Sequence, residues 1–457
     1  MSQSPVPGPD VPPWEQMLRA MLGDGADDAI AELRARGIDP ATLGGAGDLP
    51  TDPAAIQQVV AQMQSLFAGG DDQPVNWQMA HDLARQQASV GGDPSLTPTQ
   101  GRQVRDALSV AELWLDAATD LPPATAPARA WSRAEWVEAT LPAWRTLTEP
   151  VASSLSTALV EALGGQLELP PGTMLPGGVE PGQLLRRLGS AVFGLQVGQA
   201  AGTLSHDVFG TTDIGLPLLD VPAPALVAAN VEEFAEGLDA PPEEVRLFLA
   251  LREAAATRLF THVPWLRAHL LATVEAYARG ITIDVDQLEE AVGSIDPTDA
   301  AALQQALSGG VFAPHTTDEQ KAALERLETA LALVEGWVDE VSATAALPHL
   351  PHGVALREMI RRRRAAGGPA EQTFANLVGL ELRPRRLRDA AALWAQIARD
   401  GGTAARDAVW DHPDLLPSTA DLDDPAGYAA RRATAAGEAA EVDRALAEIF
   451  GEEPDES

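Results

Sequence analysis

A basic side chain is predicted to lie within the apolar face of one helix. At helical periodicity, the segment Glu243–Leu270 places Arg252 in the middle of an apolar stripe, with Glu253 at the border of the same face. The stripe consists of Val245, Phe248, Leu249, Ala256 and Leu259. Because a guanidinium keeps its proton inside a protein, Arg252 needs an anionic partner or a water-filled cavity.

An acidic side chain on a second predicted helix fits that need. The helix Asp318–Ala345 carries Glu335 at the edge of its apolar face, which consists of Leu324, Leu327, Leu331, Val334, Val338 and Val341. Two inward charges of opposite sign on helices that both bury a face predict an ion pair between Arg252 and Glu335.

Other residues with metal-binding or catalytic chemistry are scattered. Two histidines in HVPWLRAH are seven residues apart, two helical turns, which is too far for one ion. A second pair lies three residues apart in a proline-bounded loop and lacks a third nearby ligand, while a His-Asp pair follows a glycine-striped helix. In chain order these residues are His206, Asp207, His262, His269, His349 and His352. A Gly-x-Ser-x-Gly elbow, the mark of many serine hydrolases, is absent from the sequence.

One basic cluster stands out in an acidic chain. Arg361–Arg364 follow Arg357 by one helical turn, and the 457-residue chain carries a formal charge of −34. Pairing with the chain's own acidic residues is the simplest expectation for this cluster, and docking of an acidic partner or tail segment is the alternative.

Composition excludes several classes of function. A charge of −34 repels phosphate backbones and anionic lipid, so neither nucleic acid nor a membrane surface is expected as a partner. With no cysteine, thiolate metal sites and thiol nucleophiles are excluded. Lys321 is the single lysine, which argues against Schiff-base and P-loop chemistry. The first residues lack the basic and apolar regions of a secretory signal, so we expect a cytoplasmic protein.

Helix signals dominate the chain and predict a mainly α fold with at most a small β element. Short strands are predicted only at Gln166–Leu169, Asp213–Leu218 and Ile281–Asp284. Gly194, Gly198 and Gly202 recur every four residues on a helix that starts at Pro181, a spacing that lets another helix approach closely. The predicted helices are Trp14–Arg36, Thr97 to about Thr119, one from Ser132, one from Pro181, Pro242–Phe260, Pro264–Ala278, Thr298–Ala306, Asp318–Ala345, Pro351–Arg364 and Arg386–Arg399.

Composition shifts along the chain suggest four regions. Residues 1–12 form a proline-rich tail predicted to be disordered, and residues 13–125 form an N-terminal helical region. Residues 126–425 form the main helical domain, and residues 426–457 a C-terminal helix with an acidic tail.

Several segments, in this order, resemble the zincin-like metallopeptidases known from actinobacteria, whose members carry the label of zinc-dependent metalloproteases or hydrolases. The resemblance covers roughly residues 75 to 425. The segments are QVGQAAGTLSHDVFGTTDIGLPL (196–218), LALREAAATRLFTHVPWLRAHLL (249–271), EGWVDEV (335–341), GGPAEQTFANLVGLELRPRRLRDA (367–390) and HPDLLP (412–417).

The resemblance implies a zincin-like helical core and a position for a metal site. In zincins with metal, the helix motif His-Glu-x-x-His holds zinc with two histidines, and its glutamate activates the bound water. Carried onto this chain, the motif reads Arg252-Glu253-x-x-Ala256, so both histidine ligands are missing. Downstream, Glu335 matches the third-ligand region, where Trp337 stands in place of a histidine.

Two functions follow from this resemblance. The first is a non-catalytic member that binds a peptide or protein, needs no cofactor and keeps Glu253 as a vestige of the general base. In this first function Arg252, Ala256, Glu335 and Trp337 mark the former metal region. The alternative is an active zinc-dependent hydrolase in which Glu253 still acts as base, with His206, His262 or His269 recruited to a rearranged zinc site. The substrate and the oligomeric state are not determined by the sequence.

Overall fold

The structure, a computed structural model, describes residues 73–164, 181–279, 317–366, 377 and 386–450. These residues are mainly α-helical, which confirms the predicted fold class. The predicted helices Trp14–Arg36 and Thr298–Ala306, the strands Gln166–Leu169 and Ile281–Asp284, and residues 1–12 and 451–457 lie outside the described residues.

Helices follow one another through both halves of the described chain. The first six are α1 (Trp77–Ala88), α2 (Pro98–Leu115), α3 (Arg133–Gly164), α4 (Pro181–Leu204), α5 (Ala228–Glu236) and α6 (Pro242–His262). The next six are α7 (Pro264–Arg279), α8 (Asp318–Ala346), α9 (Gly353–Ala365), α10 (Leu387–Asp407), α11 (Thr419–Asp423) and α12 (Tyr428–Phe450). Short 3₁₀ helices at Ala408–Asp411, Pro413–Leu415 and Pro425–Gly427 join α10 to α11 and α11 to α12.

Local sequence signals explain where several helices begin. Thr97 caps α2, with its side chain accepting a hydrogen bond from the Gln100 amide, and Pro98 occupies the first turn. Before α3, the Ser132 amide donates to the Glu135 carboxylate and the Glu135 amide donates to the Ser132 hydroxyl, as the predicted capping box requires. These starts therefore agree with the sequence-based expectations.

The small β element consists of two three-residue strands. β1 (Arg129–Trp131) pairs in parallel with β2 (Ala225–Val227), and Trp131 lies opposite Val227. The predicted strand Asp213–Leu218 is wrong, because this segment forms turns in which Gly215 has a φ of 79°. A left-handed φ of this kind favours glycine and interrupts an extended strand.

The chain divides into two units. One comprises Met1–Leu83, Thr148–Gln199 and Ala278–Gln320, and the other comprises Ala84–Leu147, Ala200–Tyr277 and Lys321–Ser457. The second unit contains α6, whose residues from Phe248 to Phe260 are all buried. The four-region division predicted from the sequence differs from these units and stays a prediction.

The glycines of α4 allow a close helix approach, as their spacing predicts. Within the first unit, a Cβ added at Gly198 would lie 2.7 Å from the Ala80 carbonyl oxygen and 2.9 Å from the Leu83 Cβ. A Cβ added at Gly194 would lie 2.6 Å from the Asn76 carbonyl oxygen. The backbone of α1 therefore occupies the space that side chains at these positions would fill.

We predict that Gly198→Ala destabilises the protein by about 1–3 kcal/mol, since the added methyl group overpacks the contact with α1. Gly189→Ala is the matched control, because a Cβ at Gly189 in the same helix meets no atom within 4 Å. This control should instead gain about 0.5–1 kcal/mol from the higher helix propensity of alanine. Denaturant unfolding of both variants measures the difference, and equal stabilities would contradict the close approach.

Candidate functional site

The site is built on the buried pair that the sequence predicts. Arg252, on α6, donates from Nη2 to the Oε2 atom of Glu335, on α8, at 3.0 Å. Both residues are buried, with 7% of Arg252 and 4% of Glu335 exposed. The predicted ion pair is therefore confirmed, and a charge-assisted hydrogen bond between two buried side chains joins α6 to α8.

A second arginine completes the coordination of Glu335. Arg364, on α9, donates from Nη2 to Oε1 of Glu335 at 2.9 Å, so each carboxylate oxygen accepts from a different guanidinium. The same Nη2 atom lies 3.4 Å from Oδ1 of Asp213. Arg364 therefore links α9 both to α8 and to the turn segment that precedes β2.

Asp339 forms a second centre one turn further along α8. Its Oδ2 atom accepts from Arg357 Nη2 at 2.7 Å and from Arg361 Nη2 at 2.6 Å, and its Oδ1 atom lies 3.8 Å from Arg252 Nη1. Burial acts to raise the pKa of the Asp339 carboxyl, but the hydrogen bonds from Arg361 and Arg357 outweigh it, so the pKa lies below its ordinary value. Asp339 is therefore an anion in this network.

The basic cluster of α9 pairs with acidic residues of the chain itself, which was the simpler of the two expectations. Besides the contacts to Glu335 and Asp339, Arg362 pairs with Glu358 at 3.1 Å. Arg363 donates to the Asp207 carbonyl oxygen and lies over the ring of Phe209, 4.4 Å from its centroid. The described contacts thus leave docking of an acidic partner on this cluster without support.

Glu253 lies beside Arg252 in sequence but faces a different set of groups. Its Oε1 atom accepts from the amide and hydroxyl of Thr211, at 2.9 and 2.6 Å, and from the Ala225 amide at 3.3 Å. Its Oε2 atom accepts from the Thr212 hydroxyl at 2.8 Å and from the Thr212 amide at 3.4 Å. Glu253 therefore ties α6 to the turn segment and to the start of β2.

Burial dominates the protonation equilibrium of Glu253. Removal from water raises the pKa of its carboxyl above the ordinary value, and the hydrogen bonds from Thr211, Thr212 and Ala225 oppose that shift without cancelling it. Gly210 makes this arrangement possible, because a Cβ there would lie 2.3 Å from Oε2 of Glu253. The turn segment therefore closes tightly over the carboxyl group.

The cavity beside these residues is small. Arg252, Glu253, Ala256, Glu335 and Arg364 line it together with apolar side chains, and its volume is about 20 Å³. This volume holds about one water molecule. Ala256 thus contributes only a methyl group to the lining of a small space.

The remaining predicted site residue lies elsewhere. Trp337 is fully buried on α8 and donates from Nε1 to Oδ1 of Asp407 at 2.9 Å, and it does not line the cavity. Its position two residues after Glu335 turns its ring toward α10. Of the predicted site residues, Arg252, Glu253, Ala256 and Glu335 thus line one cavity, and Trp337 does not.

The histidines of the alternative zinc site are held by separate contacts. Nε2 of His206 lies 3.0 Å from the Gln87 carbonyl oxygen, and Nε2 of His262 lies 3.4 Å from the Pro123 carbonyl oxygen. His269 packs edge-on against a tryptophan ring. These three histidines are not among the residues that line the cavity.

The proline-bounded histidines also have different partners. The ring of His349 stacks on Trp114 with 4.3 Å between centroids, whereas Nδ1 of His352 lies 3.1 Å from Oε2 of Glu244. Across the described ranges, no group of three His, Asp or Glu side chains is arranged to hold a metal ion.

The sequence-based predictions did not include Asp339 and did not assign the basic cluster of α9 to particular partners, although the spacing contains a signal for both. Asp339 lies four residues after Glu335 and thus on the same helical face. Arg357, Arg361 and Arg364 are separated by four and three residues, which places their side chains on one face of α9. A search for matching charged faces on neighbouring helices would have found this pairing.

Comparisons with known proteins agree with the architecture. The model of the zincin-like metallopeptidase family matches residues 75–429. Among solved structures, the chain is similar to a suggested hydrolase with a novel fold from Chloroflexus aurantiacus, with 19% identity and a TM-score of 0.54. That similarity covers 78% of this chain and 98% of the other, and at this identity it shows the fold alone. No curated protein matches this chain.

We predict that Arg252 and Glu335 are coupled in a double-mutant cycle. Arg252→Met and Glu335→Gln should each cost up to about 3–5 kcal/mol, because each removes one of the two counter-charges of a buried ion. Arg364 then remains beside Glu335 in the first variant, and Asp339 beside Arg252 in the second. The double variant should cost about 0.5–3 kcal/mol less than the sum, measured by denaturant unfolding. The exposed pair Arg85 and Glu138, 2.6 Å apart, is the control and should show a coupling of about 0–1 kcal/mol. Additive effects at Arg252 and Glu335 would disprove the coupling.

We also predict the sign of a pH effect at Glu253. Since its pKa is raised in the folded protein, the folded state binds more protons than the unfolded state above the ordinary value of 4.5. The stability of the wild type should therefore fall relative to Glu253→Gln as the pH rises from about 5 to about 8. Unfolding free energies of both proteins across this range measure it, and a relative rise would mean that the five hydrogen bonds lower the pKa instead.

Proposed function

The chain belongs to the zincin-like metallopeptidase family, and from this membership we propose that it is a non-catalytic member that binds a peptide or a protein. The observation that carries the proposal is the Arg252–Glu335 pair. In a zinc peptidase, the first ligand position and the downstream carboxylate share a metal cation with an open coordination position. In this chain they share a guanidinium, which has no such position.

The residues present do not fit a zinc ion. Arg252 offers only N–H donors and carries a positive charge, and Ala256 offers a methyl group. Glu335 is the one anionic residue at the family's ligand positions, and both of its oxygens are already occupied by Arg252 and Arg364. A cation placed there would have to displace two guanidinium groups and would meet their charge repulsion.

In this proposal Glu253 is a positioning residue and not a catalytic residue. A general base must accept a proton from a water within hydrogen-bond reach. Both oxygens of Glu253 already face donors from Thr211, Thr212 and Ala225. Its role is to hold the turn segment against α6, which keeps the shape of the site.

The ligand is expected on the outer surface beside the cavity, since the cavity has room for about one water. Asp213 and Arg364 line the cavity and keep 24% and 16% of their side chains exposed. These two groups offer one negative and one positive contact to a peptide that lies across the opening. Among the described residues, no helix is both long enough and apolar enough to cross a membrane.

The alternative, an active hydrolase with a rearranged zinc site, lacks a supporting observation. It requires His206, His262 or His269 to converge with a carboxylate on one metal ion. Each of these side chains contacts a different part of the described structure, and none lines the cavity. The cytoplasmic location stays a prediction from the sequence.

The proposal is tested on untagged full-length protein by elemental mass spectrometry and by hydrolysis of a quenched peptide library. We expect far less than one zinc per chain in the wild type and in Glu335→Gln. We also expect the same background hydrolysis in the wild type and in Glu253→Gln, with and without added zinc. In fluorescence anisotropy, members of the same library should bind the wild type and bind Asp213→Asn more weakly.

One set of results would contradict this function and establish the alternative. In that set, the wild type contains about one zinc per chain and Glu335→Gln contains none. The wild type also hydrolyses the peptides, and Glu253→Gln does not. Failure of every library member to bind would contradict the binding part alone. Circular dichroism of each variant verifies that the helical fold is retained.

A further inference from the structure

The last helix of the described chain is fixed near its start and exposed from residue 433 to residue 446. Near the start of α12, Arg431 donates from Nε to Asp421 at 2.8 Å and from Nη1 to Asp424 at 2.9 Å. Arg432 donates to the Leu415 carbonyl oxygen. Beyond these anchors, every residue of 433–446 is exposed. These fourteen residues, here called the C-terminal arm, extend for about 21 Å.

The C-terminal arm carries an apolar stripe that is exposed to solvent. Ala435, Ala439, Val442 and Leu446 are separated by four, three and four residues, the spacing of a coiled-coil seam. Val442 is 58% exposed and Leu446 is 45% exposed. The same spacing reaches Ile449 in the sequence. A helix with such a stripe buries it most readily against one face of another helix.

The charges beside the stripe select the kind of partner. With Ala439 and Leu446 as a positions, Glu438 takes a g position and Asp443 an e position. In a parallel pair of two copies, Glu438 of one helix would face Asp443 of the other. In an antiparallel pair that packs Val442 of one copy against Leu446 of the other, e faces e, so Asp443 meets Asp443. Together with the net charge of −34, this arrangement disfavours self-association.

We propose that the C-terminal arm docks a basic amphipathic helix of another protein. The partner's apolar stripe would cover Val442 and Leu446, and its Lys or Arg side chains would lie opposite Glu438 and Asp443. This surface is separate from the residues around Arg252, so the inference does not rest on the function proposed for that site.

The test uses two synthetic three-heptad helical peptides with leucine at a and d positions. One has lysine at e and g, and its twin has glutamate there. Fluorescence anisotropy with the full-length chain should show binding of the lysine peptide and not of the glutamate twin. The double variant Val442→Ser/Leu446→Ser should weaken binding by about tenfold or more. Glu438→Lys/Asp443→Lys should reverse the preference in favour of the glutamate twin.

A matched control separates the stripe from general charge attraction. Leu113→Ser/Val354→Ser removes two apolar side chains that are 67% and 69% exposed on other helices. This variant should bind the lysine peptide as the wild type does. Equal binding to the wild type and to Val442→Ser/Leu446→Ser would overturn the proposal, because the acidic surface alone would then account for it.

Photo-crosslinking from position 442 in the native cell tests for the natural partner. The expected adduct is another protein whose crosslinked segment has an apolar helical stripe flanked by lysine or arginine. An adduct with a second copy of this chain, or no adduct, would overturn the proposal. Sedimentation of the purified chain should show no concentration-dependent dimer, and a dimer lost in Val442→Ser/Leu446→Ser would assign the stripe to self-association.

Discussion

A guanidinium that lies almost fully inside a helical core constrains everything around it. Arg252 cannot shed its charge, so the elements packed around its guanidinium must supply an anion. Glu335 supplies it from α8, with a hydrogen bond of 3.0 Å, and Asp339 adds a second negative charge at 3.8 Å. The placement of α8 against α6 therefore satisfies an electrostatic requirement as well as burying apolar side chains.

The neighbouring carboxylates of Glu335 and Asp339 in turn need positive charges, and α9 supplies them. Arg364 binds the second oxygen of Glu335, while Arg357 and Arg361 bind Asp339. Each buried charge thus has more than one partner of opposite sign, the condition under which burial of ions is tolerated. The network joins three helices around a fixed cation. A structural metal would do the same for the scaffold, although a guanidinium offers no coordination position for a substrate or a water.

The sequence predicted the part of this arrangement that follows from periodicity. Arg252 and Glu335 were paired because apolar spacing places both on buried faces, and most helix starts followed from prolines and capping residues. The strands Arg129–Trp131 and Ala225–Val227 were missed, because three residues are too few to show alternation. The role of Glu253 also depends on tertiary structure, since its partners lie 28 to 42 residues away in sequence.

The two substitutions in the His-Glu-x-x-His pattern differ in their physical consequences. Arginine at position 252 preserves a positive charge where the family places a metal, so Glu335 stays neutralised and the helices stay together. Alanine at position 256 has no atom that could bind a metal ion. The space beside it is about the size of one water molecule. Arginine at position 252 thus meets an electrostatic need of the fold, whereas neither of the two residues offers the coordination position on which zinc chemistry depends.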